Sequence, residues 1–110
     1  MKEAEIRKKA IKILTDRNWI CWFPSKVRYK QNDIFGIIDL LAIKRKKMKK
    51  IQLTTLPNLS IKRKKITNFL KKNKVQMTVE VWAWSKKKKQ FKKEKINIKI
   101  KKKLKRPIGG

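Results

Sequence analysis

Residues Gly36–Ile43 have the sequence GIIDLLAI, an apolar run interrupted by one acid. We predict a strand over Phe35–Lys44 that is apolar on both faces except at Asp39. Burying a carboxylate without a partner is expensive, so a donor or a cation should lie near this side chain. Asp39 is therefore the first candidate for a functional residue.

A basic turn and a second strand follow, and together they predict a hairpin. With Arg45–Met48 as a four-residue turn, Lys49–Thr55 forms the second strand and Asp39 lies opposite Thr54. Residues opposite each other share a face of the sheet, so polar side chains gather on one face of a sheet that is otherwise apolar. The members of this cluster are Asp39, Lys50, Gln52 and Thr54.

The whole chain predicts the α/β (α+β) class, a mixed sheet flanked by helices. The predicted order is α-β-β-β-α-β-β, with helices over 3–17 and 61–73 and strands over 19–23, 35–44, 49–55, 77–84 and from 90 onward. Asn18 is expected to end the first helix and Ser60 to cap the second. The third and fourth strands, joined through a helix, should pair in parallel. A chain of 110 residues has room for one core, which we place in residues 1–100, followed by a basic flexible tail over 101–110.

The charge of the chain predicts a nucleic-acid partner. Lysine and arginine number 35 against 7 acids, a formal net charge of +28. Such a surface repels itself unless polyanions or salt neutralise it. DNA satisfies this best, because each neutralised phosphate releases condensed counterions, and RNA is a possible partner on the same ground. The candidate nucleic-acid-binding residues are Lys44, Arg45, Lys62, Arg63 and Lys64.

Composition excludes several other functions. The chain has no histidine and one cysteine, Cys21, which excludes a Ser-His-Asp triad, a Cys–His pair, an imidazole zinc site and an intrachain disulfide. Its longest near-apolar run, residues 35–43, is far shorter than the roughly 20 residues of a membrane span. We therefore expect no membrane partner and a cytoplasmic, nucleic-acid-associated protein. The four tryptophans could stack bases, but core positions or a dimer contact are the favoured interpretation.

The order of elements and the polar cluster together resemble the PD-(D/E)XK nuclease superfamily, the restriction-endonuclease-like fold that includes the archaeal Holliday junction resolvases. The family pattern combines an acid from the first helix, an aspartate at the start of a strand, and an acid–x–Lys on the next strand. Asp39 matches the strand aspartate, and Gln52-Leu53-Thr54 occupies the place of the acid–x–Lys. The resemblance covers about residues 3–98.

The resemblance implies a metal-dependent DNA endonuclease that is selective for structure, as resolvases are for branched DNA, and acts as a homodimer. It implies that Mg²⁺ or Mn²⁺ is held by the Asp39 carboxylate, the side-chain oxygen of Gln52 and the backbone carbonyl of Leu53. These are oxygen ligands of the kind that Mg²⁺ prefers, and the ion stabilises charge on the phosphate during hydrolysis.

Two residues depart from the family pattern. Gln52 replaces the second acid, so that ligand keeps an oxygen but carries no charge. Thr54 replaces the lysine, and Lys50, Lys62 or Arg63 could supply the missing cation. The alternative function is therefore a non-catalytic DNA- or RNA-binding protein on the same fold, with a degenerate site.

The further acid of the family pattern has three candidates. The first helix offers Glu3 or Glu5, and Asp33 is a rival because the connection before a metal-site strand can bring a carboxylate to the ion. The residues alone do not decide among these three.

Overall fold

The computed structural model describes residues 3–24 and 34–98. In this part of the chain, two α-helices and five strands follow one another in the predicted order. They are α1 (Glu3–Asp16), β1 (Ile20–Trp22), β2 (Leu40–Lys44), β3 (Lys47–Thr55), α2 (Leu59–Asn73), β4 (Val79–Ser85) and β5 (Gln90–Ile96). The predictions for Asp33 and for the tail over 101–110 fall outside the described residues.

The five strands form one mixed sheet in the order β1-β2-β3-β4-β5. β1, β2 and β3 are antiparallel neighbours, β3 and β4 are parallel, and β5 is antiparallel to β4. The parallel pairing of β3 with β4 confirms the expectation drawn from the helix between them. The described residues thus form a mixed α+β domain.

Each face of the sheet carries its own helix and its own apolar core, and we call the two sides the α1 face and the α2 face. The α1-face core consists of Ile6, Ala10, Leu14, Leu40, Ala42, Ile51, Leu53, Trp82 and Trp84. The α2-face core consists of Ile37, Ile38, Leu59, Ile66, Leu70, Val79, Val81, Ala83 and Ile96. Burial of Trp82 and Trp84 favours a core role over base stacking for these two side chains. Neither described helix is long and apolar enough to cross a bilayer.

Both helices end at a residue in the left-handed conformation. Asn18 has φ 68° and Lys74 has φ 52°. After α1, the N–H of Trp19 donates to the carbonyl of Leu14 at 3.0 Å, which satisfies a carbonyl at the helix end. The predicted end of the first helix at Asn18 is confirmed.

The start of α2 differs from the prediction at Ser60. The helix begins at Leu59, and Asn58 occupies the N-cap without a side-chain hydrogen bond. A single 3₁₀ turn, Leu56–Asn58, leads directly from β3 into α2, and the N–H of Leu59 donates to the carbonyl of Leu56. A backbone carbonyl therefore takes part of the role that was predicted for the Ser60 hydroxyl.

The strand predicted over Phe35–Lys44 is shorter, because its first half forms a tight turn. Ile34 and Ile38 exchange backbone hydrogen bonds of 2.7 and 3.0 Å. Between them, Phe35 has φ 55° and Gly36 has φ 74°, a region that glycine enters without strain. The apolar pattern predicted burial correctly here, since Ile37 and Ile38 are in the core, but it did not reveal the turn.

The hairpin turn has two residues, 45–46, rather than the predicted four. The pairing is therefore shifted by two residues, and Leu40 lies opposite Ile51. Side chains alternate between faces with a period of two, so a shift of two leaves every side chain on its predicted face. Asp39 consequently comes beside Gln52, two residues earlier on β3 than predicted.

Deleting Lys46 should destabilise the domain severely. One residue cannot close this hairpin, and a register change by an odd number would turn Gln52 and Thr54 into the α1-face core while expelling Ile51 and Leu53. We expect a loss of more than about 3 kcal/mol in the free energy of unfolding, measured by thermal or urea denaturation. An insertion of two glycines after Arg45 is the matched control, because a change by an even number of residues keeps every side chain of β3 on its present face. A deletion variant as stable as the wild type would contradict the register.

Candidate functional site

Asp39 lies where the ladder between β2 and β3 ends. Its N–H donates to the carbonyl of Ile51 at 2.8 Å. Its Oδ2 accepts two hydrogen bonds, from Gln52 Nε2 at 2.6 Å and from the Leu53 N–H at 2.8 Å. Because β2 begins only at Leu40, the Asp39 carboxylate takes the place of a strand carbonyl for Leu53. We call Asp39, Gln52, Leu53 and Thr54 the Asp39 site.

Gln52 contributes an unsatisfied oxygen to this site. The residue is 2% exposed, and its Oε1 is the one fully buried side-chain oxygen or nitrogen in the described chain that has no hydrogen-bond partner. The amide Nε2 points instead at Asp39 and lies 3.5 Å from the carbonyl of Leu53. A buried acceptor without a donor costs about 1–3 kcal/mol, and a half-turn of the Gln52 amide would bring this oxygen to the side of Asp39 and Leu53, where a cation could contact all three.

The donor set of the Asp39 site fits a small hard cation. It combines one carboxylate, one amide oxygen without a donor and one backbone carbonyl, which are ligands that Mg²⁺ accepts. The described residues, including the Asp39 site with its single carboxylate, hold no group of three or more His, Cys, Asp or Glu side chains that could hold a metal ion. Magnesium sites often use one or two carboxylates and leave the other positions to water and phosphate. Asp39 would be the charged ligand in such a site.

Lys50 and Thr54 lie on either side of Gln52 along β3. All three side chains point to the α2 face, at intervals of about 6.7 Å. Thr54 is buried, with 7% exposure. Lys50 is half-buried and lines a hollow at the end of the sheet with Thr78 and Asn97. Asp39 and Gln52 are in direct contact, and Lys50 and Thr54 flank this contact along β3.

Glu5 lies on the opposite side of the sheet from Gln52. It is an exposed residue in the first turn of α1, as is Glu3. The helix packs on the α1 face through Ile6, whereas Gln52 points to the α2 face. The role expected for Glu5 stays a prediction, and that of its rival Asp33 lies outside the described residues.

Comparisons with known proteins add no family to these observations. No protein-family model, curated protein or solved structure matches this chain. The geometry of the site and the order of elements are therefore the basis for any functional proposal.

The predicted nucleic-acid-binding residues fall into two groups at opposite ends of β3, a nine-residue strand that spans about 26 Å between its end residues. The first group is at the hairpin. Lys44 Nζ donates to the carbonyl of Arg17 at 3.0 Å and lies 5.2 Å from the centre of the Trp19 ring. Arg45 is in the exposed turn with φ 57°. This group leaves the Arg45 guanidinium at the tip of the hairpin.

The second group opens α2. Lys62 is half-buried and Lys64 is exposed. Arg63 makes a two-pronged ion pair with Glu94, with distances of 2.9 and 3.0 Å. Its hydrogen bonds to Glu94 raise the pKa of Arg63 and lower the pKa of Glu94. Lys62 and Lys64 therefore have more of their charge to offer a phosphate than Arg63 has.

Glu80 is a buried acid that carries the same sequence signal as the half-buried Asp39, an acid within an apolar strand, yet the patterns above did not single it out. It is 8% exposed on β4. Lys49 Nζ lies 2.8 Å from its Oε2, and Trp82 Nε1–H donates to its Oε1 at 3.0 Å. Burial raises the pKa of Glu80, but the hydrogen bonds from Lys49 and Trp82 and the charges of Lys49 and Lys95 outweigh this and leave the pKa below its ordinary value.

The Glu80→Gln variant should be less stable than the wild type at neutral pH. A lowered pKa means that the folded state favours the carboxylate, so the stabilisation is complete above the ordinary glutamate value and is lost as the pH falls below it. We expect a loss of about 1–2 kcal/mol at pH 7, reduced from that of a fully buried pair because Lys49 is partly exposed. Thermal melts from pH 7 to pH 3 should show the two curves converging below about pH 4.5.

The control is Asp16→Asn, which removes an exposed helical pair with Lys12 and should change stability by less than about 0.5 kcal/mol. A difference in stability between wild type and Glu80→Gln that does not change with pH would contradict this role of the Glu80 carboxylate.

Proposed function

We propose that this protein is a metal-dependent DNA endonuclease with a restriction-endonuclease-like αβββαβ core, selective for DNA structure as the junction resolvases are, and that the Asp39 site binds the metal. The observation that carries the proposal is the 2.6 Å contact between Asp39 and Gln52 beside a buried oxygen of Gln52 that has no donor. These are two residues that the family pattern assigns to one site. They meet although the register differs from the predicted one.

The topology of the described residues supports the same proposal. A helix, three antiparallel strands, a second helix and a parallel fourth strand follow in the order that the resemblance implies. β5 adds an antiparallel edge strand. Asp39 precedes the second strand and Gln52 lies on the third, which are the positions of the family's two acidic ligands.

Each residue of the Asp39 site has its own role in this proposal. Asp39 supplies the charge for Mg²⁺ or Mn²⁺, and the oxygens of Gln52 and Leu53 complete the protein's share of the ligands. The bound ion would polarise the phosphate and stabilise the charge that develops during hydrolysis. Lys50 adds positive charge on the same face, and the Thr54 hydroxyl can donate or accept a hydrogen bond where the family carries lysine.

The Gln52→Glu variant tests the metal site without relying on activity. It places a second carboxylate at the hydrogen-bond distance that now separates Gln52 from Asp39, so without a divalent ion the two charges repel and the melting temperature should fall by several degrees. Millimolar Mg²⁺ should reverse this fall, because the added charge strengthens ion binding.

Gln90→Glu is the matched control, since Gln90 is exposed at the start of β5. This variant makes the same chemical change, and its melting temperature should match that of the wild type both without and with Mg²⁺. If Mg²⁺ leaves the melting temperature of Gln52→Glu unchanged, the Asp39 site does not bind the ion.

Activity is tested on a four-way junction and on a plasmid, with Mg²⁺ or Mn²⁺ and with EDTA. Cleavage that requires the divalent ion supports the endonuclease, and sedimentation of the active species tests the homodimer.

One observation favours a second candidate function, a non-catalytic DNA- or RNA-binding protein with a degenerate site. Asp39 Oδ2 already accepts two N–H groups, as a purely structural carboxylate would. A wild-type protein that binds DNA tightly but cuts with no divalent ion would favour this candidate.

A further inference from the structure

A hollow on the α1 face lies between α1 and the hairpin of β4 and β5, on the opposite side of the sheet from the Asp39 site. Its volume is about 450 Å³, and Trp84 and Phe91 line it from the sheet. Its basic lining residues are Lys9, Lys12, Arg17, Lys89 and Lys93, and its one acid is Asp16. The hollow therefore carries a large excess of positive charge.

A second hollow, of about 530 Å³, lies where β4 begins, between the ends of β3 and β5. Its basic lining residues are Lys47, Lys49 and Lys95 on the α1 face and Lys50 on the α2 face, and its one acid is Glu80. Lys93 and Lys95 are two apart on β5, so they share a face at a separation of about 6.7 Å and join the two hollows. We call the combined surface the α1-face groove.

The acids of the groove do not balance its cations. Asp16 pairs with Lys12 at 3.2 Å, and Glu80 pairs with Lys49 at 2.8 Å. Burial and the repulsion of Arg17 and Lys49 lower the pKa of Lys93, so its ammonium is held where positive charge is unfavourable. An anion that enters the groove would relieve this repulsion.

The aromatic rings of the groove contact ammonium groups. Lys93 Nζ lies 4.3 Å from the centre of the Trp82 ring. Lys49 Nζ lies 5.1 Å from the centre of Trp19, and Lys9 Nζ lies 5.1 Å from the centre of Trp84. Cation–π contacts of this kind orient lysines, and the Trp82 and Trp84 rings are buried, so they offer no free face for base stacking. The groove is therefore suited to phosphates rather than to base edges or base faces.

We propose that the α1-face groove binds the sugar–phosphate backbone of a second DNA segment, on the opposite side of the sheet from the segment held at the Asp39 site. The proposal rests on the DNA-binding part of the proposed function and not on the metal or on cleavage. Two arms of one branched DNA could then contact one domain, one on each face. Recognition in the groove would be independent of sequence, because phosphate contacts carry no base information.

The test compares two triple variants that remove the same charge. The groove variant is Lys9→Gln, Lys93→Gln and Lys95→Gln, and the control is Lys65→Gln, Lys71→Gln and Lys72→Gln, three exposed residues of α2. Affinity for a four-way junction is measured over a series of salt concentrations. The groove variant should bind about 10²-fold more weakly at 0.1 M salt, with a log–log salt slope shallower by about 2–3. The control should retain the wild-type slope.

Lysine acetylation of the wild type gives a second measurement that depends on no variant. Bound DNA should protect Lys9, Lys93 and Lys95 and leave Lys71 and Lys72 reactive. The groove proposal is overturned if the groove variant binds DNA as the control does and the groove lysines stay reactive. If the DNA affinity of the wild type still depends steeply on salt in that case, the proposed function is unaffected. A wild type that binds no DNA overturns both. Protection of the groove by RNA and not by DNA would also overturn the proposal.

Discussion

The affinity of this protein for a short DNA duplex should fall by about 10³–10⁵ between 50 and 200 mM salt, if about six to ten phosphates are contacted. The reason is the release of counterions that accompanies each phosphate neutralised by lysine or arginine. With 35 basic residues against 7 acids, this electrostatic contribution should dominate binding. Fluorescence anisotropy across a salt series measures it directly.

The slope of that series also gives the number of phosphates, since each contributes about 0.9 to the log–log slope for a duplex. The duplex should be tested in two unrelated sequences, which should give the same slope and similar affinities. An affinity that is nearly flat in salt would contradict the nucleic-acid partner altogether.

The Asp39→Asn variant should lose cleavage and keep its affinity for DNA, or bind slightly more tightly. The substitution removes the charged ligand of the site, so Mg²⁺ should bind poorly and the phosphate should lose its Lewis acid. It also removes a negative charge that would repel a polyanion, which favours association. The asparagine keeps one side-chain oxygen that can accept from Gln52 or Leu53, so we expect a stability loss of only about 1–2 kcal/mol.

Three measurements on one variant separate the proposed catalytic role of Asp39 from a structural one. They are a thermal melt, for which the exposed Asp16→Asn is the matched control, DNA affinity at fixed salt, and divalent-dependent cleavage. A structural Asp39 predicts that melting temperature and DNA affinity fall together. Equal cleavage by wild type and Asp39→Asn would show that the carboxylate is not a metal ligand.

The sequence predicted which polar side chains share a face with Asp39 better than it predicted the register. Asp39 and Gln52 could be paired because each is a polar residue in an apolar strand, and a two-residue error in the turn preserves the face. The turn length itself could not be predicted, because Arg45 takes a left-handed φ that its residue type does not favour. Gly36 gave the one local signal that the apolar run before β2 would turn.

The groove could not be predicted, for a different reason. Its cations come from α1, β3 and β5, and lysine is so frequent in this chain that no single lysine stands out in the sequence. The structure alone shows that Lys49, Lys93 and Lys9 pack on Trp19, Trp82 and Trp84. Glu80 differs, because its position in an apolar strand was a usable signal.

Because the domain has two separate cores, the effects of substitutions on its two faces should combine in a simple way. The α1 face and the α2 face share the backbone of five strands, but their side chains point in opposite directions and pack against different helices. Free-energy changes at sites without shared partners usually add. Substitutions in the Asp39 site and in the groove should therefore combine without epistasis, and each surface is free to be lost, refined or replaced while the other is retained.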